Sequence, residues 1–294
     1  ETFHPEESFG YELNPSVSLN LPTDQTYFGL SYEYSYKYYE DRSASDKYDQ
    51  FHRANLRLDH TFSERYKVRV DDAFTYSSGP EDLSSSSAVV TTPVRTDNDY
   101  YSNLGTIRFT AQMTELLALE LAYANTYYDY EADNGTVADP SSSGLLDRME
   151  HLASVDLRWA AKPDTDIIFG YAFGIIDYTG DEPIGTDGIK TLDSDYRNSQ
   201  SHRLIVGADH RFNAQLSGSI RVGAQYTDYI NYNDENLSPY IDSNLTYLYG
   251  RGNTVQVGTL HSRNPTDVQS LDQETTLFYG SINHKITPKL VGHV

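Results

Sequence analysis

Apolar and polar residues alternate with a period of two along most of the chain. In Thr26–Tyr38 the even positions from Phe28 to Tyr38 are apolar or aromatic, and the odd positions from Gly29 to Lys37 are small or charged. Strict alternation is the pattern of a β-strand with one apolar face, and helical spacing is nearly absent. The pattern predicts an all-β chain of about fourteen antiparallel strands: Ser16–Leu21, Thr26–Tyr38, Phe51–Phe62, Tyr66–Tyr76, Tyr101–Gln112, Leu116–Tyr130, His151–Ala160, Asp166–Tyr178, Gln200–Phe212, Gln215–Tyr229, Ile241–Gly250, Thr254–Arg263, Glu274–Ile286 and Lys289–Val294.

The connections between these strands are alternately short and long. Short breaks fall at Pro22–Gln25, Ser63–Arg65, Met113–Glu115, Ala161–Asp164, Asn213–Ala214, Arg251–Asn253 and Thr287–Pro288. Longer polar segments lie between them: Glu40–Gln50, Ser77–Asp99, Glu131–Met149, Thr179–Ser199, Asn231–Pro239 and Asn264–Asp272. A soluble sandwich would have turns of mixed length at both ends and fewer tyrosines on its apolar face. We therefore predict an antiparallel up-and-down transmembrane β-barrel in the bacterial outer membrane, with short periplasmic turns and longer extracellular loops.

Charged residues on the polar face test the predicted strand registers. Three hairpins bring opposite charges together: Arg57 faces Asp71 and Asp59 faces Arg69 if Phe62 lies opposite Tyr66, Arg108 faces Glu120 if Ala111 lies opposite Leu117, and Asp209 is diagonal to Arg221 in the Phe212/Leu216 hairpin. A shift of one residue would turn these charges towards lipid. The charges therefore support the assignment of the two faces.

A few polar residues fall in the apolar phase. Asp72 would face lipid in mid-strand, where a charge is costly, so we expect a bulge or a shifted register after Asp71. His52, Asn103, Asn125 and His202 also face outward, but near the upper membrane interface. The last predicted strand is short, and we expect it to be truncated.

Composition narrows the class of protein. The chain has 294 residues, 26 tyrosines and no cysteine. The sequence contains no run of 18 apolar residues and therefore predicts no transmembrane helix. Its formal charge of −21 argues against nucleic-acid binding. Glu1 is not followed by a basic and then apolar leader, so we expect a mature or trimmed product. We predict one barrel domain over residues 1–294, with residues 1–15 as an N-terminal lead-in.

Sites for catalysis or metal binding are not evident. His60, His210 and His284 share the pattern Asp or Asn, His, any residue, apolar residue, before a short turn. They fall on non-neighbouring strands, so they predict an amphipathic ring at the lipid headgroups rather than a metal site. Acidic loop segments such as Asp97–Asp99, Asp193–Asp195 and Asp234–Glu235 leave Ca²⁺ as an alternative to simple solvation. We expect no organic cofactor and no enzyme activity; an outer-membrane hydrolase assembled from separate strands stays an alternative.

The predicted inner wall is basic. It carries eleven of the 22 basic residues and seven acidic residues, a net charge of +4. We predict that eleven of these residues line the lumen and contact a permeant: Lys37, Arg53, Arg57, Lys67, Arg69, Arg108, Arg158, Arg203, Arg221, Glu33 and Glu120. Arg211, Lys285, Asp59, Asp71, Asp156, Asp209 and Asp242 share this wall. It is either a lattice of ion pairs that stiffens the barrel, or a conduit in which unpaired Arg53, Arg158 and Arg203 favour anions.

Three segments resemble a known group of proteins. Tyr32–Tyr39, Asp49–Leu56 and the turn Phe62–Tyr66 are similar to the β-barrel porins of Gram-negative and related bacteria, especially the group called beta-barrel porin 2. That group includes barrels found with exopolysaccharide secretion systems. The resemblance implies an outer-membrane barrel and export of a sugar polymer, often an anionic one.

These observations predict a passive channel for small solutes or an anionic polysaccharide. We expect its partners to be the lipid bilayer with its lipopolysaccharide and the permeant, with no nucleic acid. The alternative is a structural barrel, plugged by its own side chains and loops, that anchors an envelope or surface protein.

Overall fold

The computed structural model describes residues 9–40, 47–78, 99–131, 135–180, 182–186, 188–250, 252–265, 271–287 and 290–293. Its strands are β1 (Gly10–Leu13), β2 (Ser16–Pro22), β3 (Thr26–Tyr39), β4 (Tyr48–Thr61), β5 (Tyr66–Ser77), β6 (Tyr100–Gln112), β7 (Leu117–Tyr130), β8 (Arg148–Lys162), β9 (Thr165–Tyr178), β10 (Pro183–Thr186), β11 (Thr191–Asp193), β12 (Ser199–Arg211), β13 (Leu216–Tyr229), β14 (Asp234–Tyr249), β15 (Asn253–Asn264), β16 (Gln273–Thr287) and β17 (Leu290–His293). One short helix, α1 (Ser142–Leu146), and a 3-10 turn (Ser194–Arg197) lie between strands. No helix in these ranges is both long and apolar enough to cross a membrane.

The strands form one antiparallel sheet in chain order. Within the described residues, fourteen strands join in a path from β1 to β17, in which β9 pairs directly with β12, and β2 joins the sheet beside β3. β1 and β2 both pair with β3, at its two ends, so Gly10–Leu13 inside the predicted lead-in is itself a strand. β10 and β11 form a separate hairpin. This sequential pairing confirms the predicted all-β, up-and-down architecture.

Where they are described, the connections also follow the prediction, with one exception; most of the predicted segment Ser77–Asp99 lies outside the described residues. At the turn end of the sheet, short turns such as Phe62–Arg65 and Pro163–Asp164 join the strands; the longer connections lie at the opposite, loop end. The segment Asn231–Pro239, predicted as a long loop, is instead mostly strand, because β14 begins at Asp234 and pairs with β13 from Tyr229 onward. Its side chains continue the alternation, which the polar composition of the segment had obscured.

Two of the three predicted hairpin registers are confirmed. Arg57 faces Asp71 and Asp59 faces Arg69 across β4 and β5. In the β12–β13 hairpin His210 faces Gly218, which places Asp209 diagonal to Arg221 as predicted.

The register predicted for β6 and β7 is wrong by two residues, since Ala111 faces Leu119 and not Leu117. The turn is longer than predicted because the amides of Met113 and Thr114 both donate to the carbonyl oxygen of Leu117, at 2.9 and 3.1 Å. Arg108 and Glu120 are therefore diagonal rather than opposite, yet their side chains still meet at 3.3 Å.

The sheet has an apolar face and a charged face. The apolar face carries large side chains that stay exposed, among them Leu30, Phe74, Ile107, Phe169 and Leu204. The charged face carries the alternate residues, including every basic residue predicted to line the lumen. Exposed apolar area on this scale marks a surface that contacts lipid or protein. Lipid-facing positions of outer-membrane barrels have this composition.

Asp72 lies on the apolar face without the predicted bulge. The β4–β5 register runs unbroken through Asp71 and Asp72, so the expected shift is wrong. The carboxylate is held instead by a neighbour on β6: the Asn103 side-chain amide donates to both of its oxygens, at 3.2 Å each. A local hydrogen bond thus stabilises an acidic group that strand geometry keeps in the lipid-facing phase.

Replacing this acid tests the assignment of the face. Asp72→Asn keeps an acceptor for Asn103 but removes the charge, so the free energy of unfolding should rise by about 1 kcal/mol. Urea unfolding of the barrel in lipid vesicles measures the change. The control Asp71→Asn, on the charged face opposite Arg57, should not raise stability. A loss of stability in Asp72→Asn would contradict the lipid-facing assignment.

Candidate functional site

The predicted lumen residues all lie on one face. Pair by pair, the strand registers place all of them on the charged face: Lys37, Arg53, Arg57, Lys67, Arg69, Arg108, Arg158, Arg203, Arg221, Glu33 and Glu120. They fall into groups at different heights along the strands. Contact with a permeant stays a prediction.

One group occupies β4 to β7 near the turn end. Asp59 accepts from Nε of Arg57 at 2.6 Å and from Nε of Arg69 at 2.5 Å. Arg69 is itself the direct cross-strand neighbour of Arg108. Lys67, two residues nearer the turn, faces Thr61 and Thr110. The group therefore contains more cations than carboxylates.

A second group crosses β8 to β14. Asp209 is bound by Arg158 at 3.0 Å and by Arg221 at 3.2 Å, and Asp242 lies directly opposite Arg221. Small residues let the long side chains lie flat on the wall: a methyl group added at Gly170 would clash with Asp156 at 2.4 Å. Asp209 therefore joins guanidinium groups from β8 and β13, and Asp242 adds a second carboxylate that makes no ion pair closer than 4.0 Å with a described residue.

The prediction that Arg158 is unpaired is therefore wrong, because Asp209 is close enough to bind two guanidinium groups. Arg203 binds no carboxylate among the described residues. Its Nε and Nη2 donate to the Gln225 side-chain oxygen at 3.1 and 2.9 Å, and its guanidinium stacks 4.6 Å from the Tyr240 ring centroid.

Arg53 and Glu33 are cross-strand neighbours at the loop end. Within the described part of the chain, they form no ion pair closer than 4.0 Å with each other or with another group. Lys37, one step further along β3, lies 3.9 Å from Glu12 and over the Phe51 ring. Arg53 thus matches its prediction as an uncompensated cation.

Four of the charged residues missed on this face lie on β4, β8 and β9; Glu12 on β1 and Asp234 on β14 belong to the same face. Asp49, Glu150 and Asp166 add carboxylates, and Arg148 adds one guanidinium. Three of the four lie at strand ends that the prediction assigned to loops or left uncounted, although continued alternation from His151 back to Arg148 could have found two of them. Their presence leaves the charged face closer to neutral than predicted.

A folded cap contacts the charged face at the loop end. α1, in the connection from β7 to β8, buries Leu146 against Tyr100 and Tyr130, whose rings stack with centroids 5.1 Å apart. Ser141 caps the helix by accepting from the Gly144 amide at 2.8 Å. Both tyrosines belong to the charged-face phase. α1 therefore packs inward over this face.

Hydrogen bonds join this cap to the connection between β9 and β12. The Glu182 carboxylate accepts from the Gly135 amide at 2.9 Å and from the Ser141 hydroxyl. Arg197, fully buried, donates to the carbonyl oxygens of Gly144 and Leu145 and stacks on the Tyr178 ring at 3.9 Å. The two longest described connections thus form one packed unit, which no periodic pattern in the sequence predicts.

The histidines near the turns have a repeated structural role. His60 lies 2.8 Å from the Thr26 hydroxyl and 4.5 Å, edge-on, from the Phe62 ring. Thr165, His210 and Phe212 repeat both contacts at the same distances. His284 binds Tyr249 at 2.9 Å. These contacts agree with the predicted ring of amphipathic side chains at the membrane edge.

Tyrosine and histidine form a matching set nearer the loop end of the apolar face. The pairs, given with their Oη to Nδ1 distances, are Tyr32 and His52 at 2.7 Å, Tyr123 and His151 at 2.7 Å, and Tyr171 and His202 at 2.8 Å. In the described ranges, no three His, Asp or Glu side chains are arranged to hold a metal ion.

The acidic loop segments have protein partners where they are described. Asp195 accepts from the Asn231 amide at 3.1 Å, and Glu235 accepts from the Tyr226 hydroxyl at 2.6 Å. Asp97 and Asn98 lie outside the described residues. The alternative of a Ca²⁺ site in these loops stays untested.

Comparison with known proteins identifies the fold. No protein-family model matches the chain, and no curated protein sequence matches it. Among solved structures, the ferric-catecholate import receptor Fiu from E. coli K12, in its open form, is 11% identical over 95% of this chain and 56% of that chain, with a TM-score of 0.51. The ferric enterobactin receptor PfeA of Pseudomonas aeruginosa, as its G324V mutant, is 11% identical over 87% and 42%, with a TM-score of 0.50. The chain has the fold of a bacterial outer-membrane β-barrel.

The barrel spans about half the length of these receptors. A weaker similarity, with a TM-score of 0.42 and 10% identity, covers 92% of this chain and 81% of the toluene transporter TodX of Pseudomonas putida. With the exposed apolar face, the fold confirms the predicted outer-membrane location.

Proteolysis can test the cap. In the folded barrel, trypsin should cleave after the exposed Lys190 but not after the buried Arg148 or Arg197. Leu146→Asp places a carboxylate among the cap tyrosines at a cost of about 3 kcal/mol, so cleavage after Arg148 should rise about tenfold or more. Mass spectrometry of the fragments measures both sites. Cleavage after Lys190 is the internal control, and an unchanged rate at Arg148 would show that the cap does not depend on Leu146.

Proposed function

We propose that the barrel is a passive channel of the outer membrane for small polar or anionic solutes, without catalysis and without a bound cofactor. The exposure of charged groups on the inner wall carries this proposal. The side chains of Arg57, Arg69 and Arg108 are 47%, 45% and 53% exposed although each contacts a carboxylate. Guanidinium groups that stay hydrated inside a barrel provide a polar path for solutes and favour anions.

The proposal has a finer form, in which the permeant is an anionic polysaccharide. It follows from the resemblance to the beta-barrel porin 2 group and is supported by paired arginine and tyrosine side chains at the loop end. Arg203 stacks on Tyr240 at 4.6 Å and binds no carboxylate among the described residues. The tyrosine ring offers a flat apolar surface for a sugar, and the guanidinium group beside it can donate to a carboxylate. An acidic sugar requires both contacts.

A smaller solute is the other form of the proposal. By their names, the similar receptors Fiu and PfeA take a ferric catecholate and ferric enterobactin. The barrel has in common with them only the fold.

The competing proposal is a plugged structural barrel that anchors a surface partner. The inward-folded cap favours it, because Leu146 and Arg197 are buried where the charged face meets the loop end. A cap that covers the mouth completely would stop conduction without any change in the wall.

Planar-bilayer recording of the full chain separates the two proposals. We expect discrete conductance steps in the unmodified barrel, with a weak preference for anions because the wall is nearly neutral. The Leu146→Asp variant, whose cap is loosened, is the matched comparison. Conductance steps in the variant alone would favour the plugged barrel. The absence of conductance steps in both proteins would contradict a channel.

A further inference from the structure

Three cations lie close together near the turn end, and two of them face each other across neighbouring strands, which is unfavourable in a β-sheet. Arg69 and Arg108 are direct cross-strand neighbours, and Lys67 lies on the same face two residues nearer the turn. Like charges directly opposite each other destabilise a strand pair. The flanking pairs on the same face are Lys67 with Thr110 and Asp71 with Thr106, so Arg69 and Arg108 are the like-charged pair of this β5–β6 segment.

The nearby carboxylates do not saturate these cations. Asp59 is shared by Arg57 and Arg69, and Glu120 meets Arg108 at 3.3 Å; each described ion pair is made through Nε. The outer, paired nitrogens of the guanidinium groups are thus left for another acceptor. Among the described residues, no carboxylate lies within 4.0 Å of the Lys67 ammonium group.

The second group of charges on the wall shows the contrast. There, Asp209 binds both Arg158 and Arg221, and Asp242 faces Arg221 from the next strand. Carboxylates match guanidinium groups in number, and small residues hold them flat. The second group thus has two carboxylates for its two guanidinium groups, whereas the group with spare donors has four cations for the three carboxylates Asp59, Asp71 and Glu120.

The group with spare donors borders an open cavity of about 350 Å³. Its walls include the cations Lys67, Arg69 and Arg108, the hydroxyl residues Thr61 and Thr110, and the carboxylates Asp59 and Glu120, so cations outnumber carboxylates by three to two. Cavities of this size are in the range that holds small ligands. Guanidinium groups recognise the oxygens of phosphate and carboxylate in a two-pronged geometry, and an ammonium group adds a point charge.

We propose that Lys67, Arg69 and Arg108 form a binding subsite for a multivalent oxyanion, such as the phosphate groups of a phosphorylated solute, at the turn end of the barrel. The subsite rests on the proposed channel only for its supply of solute. It places the anion preference at one height on the wall, where an ion can pause before it leaves the barrel.

Calorimetric titration of the full, folded chain in detergent micelles with inorganic pyrophosphate tests the subsite. We expect one site in the unmodified barrel and a loss of affinity of about tenfold or more in Arg69→Gln/Arg108→Gln, since two charge-assisted contacts are removed. Arg211→Gln/Lys285→Gln is the matched control. It removes the same charge from the same face on β12 and β16, and its affinity should stay within about twofold.

Circular dichroism melting identifies any variant that fails to fold, and Arg108→Gln alone then replaces the double variant. Equal losses in the two double variants would overturn the subsite, because bulk charge alone would explain them. A barrel that conducts but does not bind pyrophosphate overturns the subsite and leaves the channel standing. A barrel that binds pyrophosphate through Arg69 and Arg108 but does not conduct supports the subsite and contradicts the channel.

Discussion

The need to pair every backbone polar group inside lipid governs this structure. Water is absent from the membrane core, so each strand must satisfy its amides and carbonyls through its neighbours, and the antiparallel ladder from β3 to β16 does so. The ladder fixes the direction of every side chain. A slip of one residue would expose Arg57 to lipid and place Leu56 and Leu58 among charges.

The charged face divides its residues between two tasks. Around Asp209, guanidinium and carboxylate groups neutralise each other and cross-link β8, β12 and β13. Near the turn end, Arg69 and Arg108 face each other and keep nitrogens that no described carboxylate uses. A group of ion pairs and a group of exposed cations thus lie at different heights of the same wall.

Period two and charge pairing were enough to predict the fourteen strands β2 to β9 and β12 to β17, both faces and two hairpin registers, but not the short strands β1, β10 and β11. The β6–β7 register was missed because backbone bonds to Leu117 set the turn length, and side-chain patterns do not report them. Asp72 was given a bulge because its partner Asn103 is distant in sequence. The cap was missed because a helix as short as α1 has no periodic signal, and its contacts with Arg197 join separate connections.

Thiol labelling measures most directly whether the charged face meets water and the apolar face meets lipid. The chain has no cysteine, so single substitutions give a clean signal. On β6 in lipid vesicles, we expect Thr106→Cys and Thr110→Cys to react with a membrane-impermeant thiol reagent, and Ile107→Cys and Phe109→Cys to stay protected. Equal reaction at all four positions, or the reverse order, would contradict a lipid-embedded barrel with a hydrated charged wall.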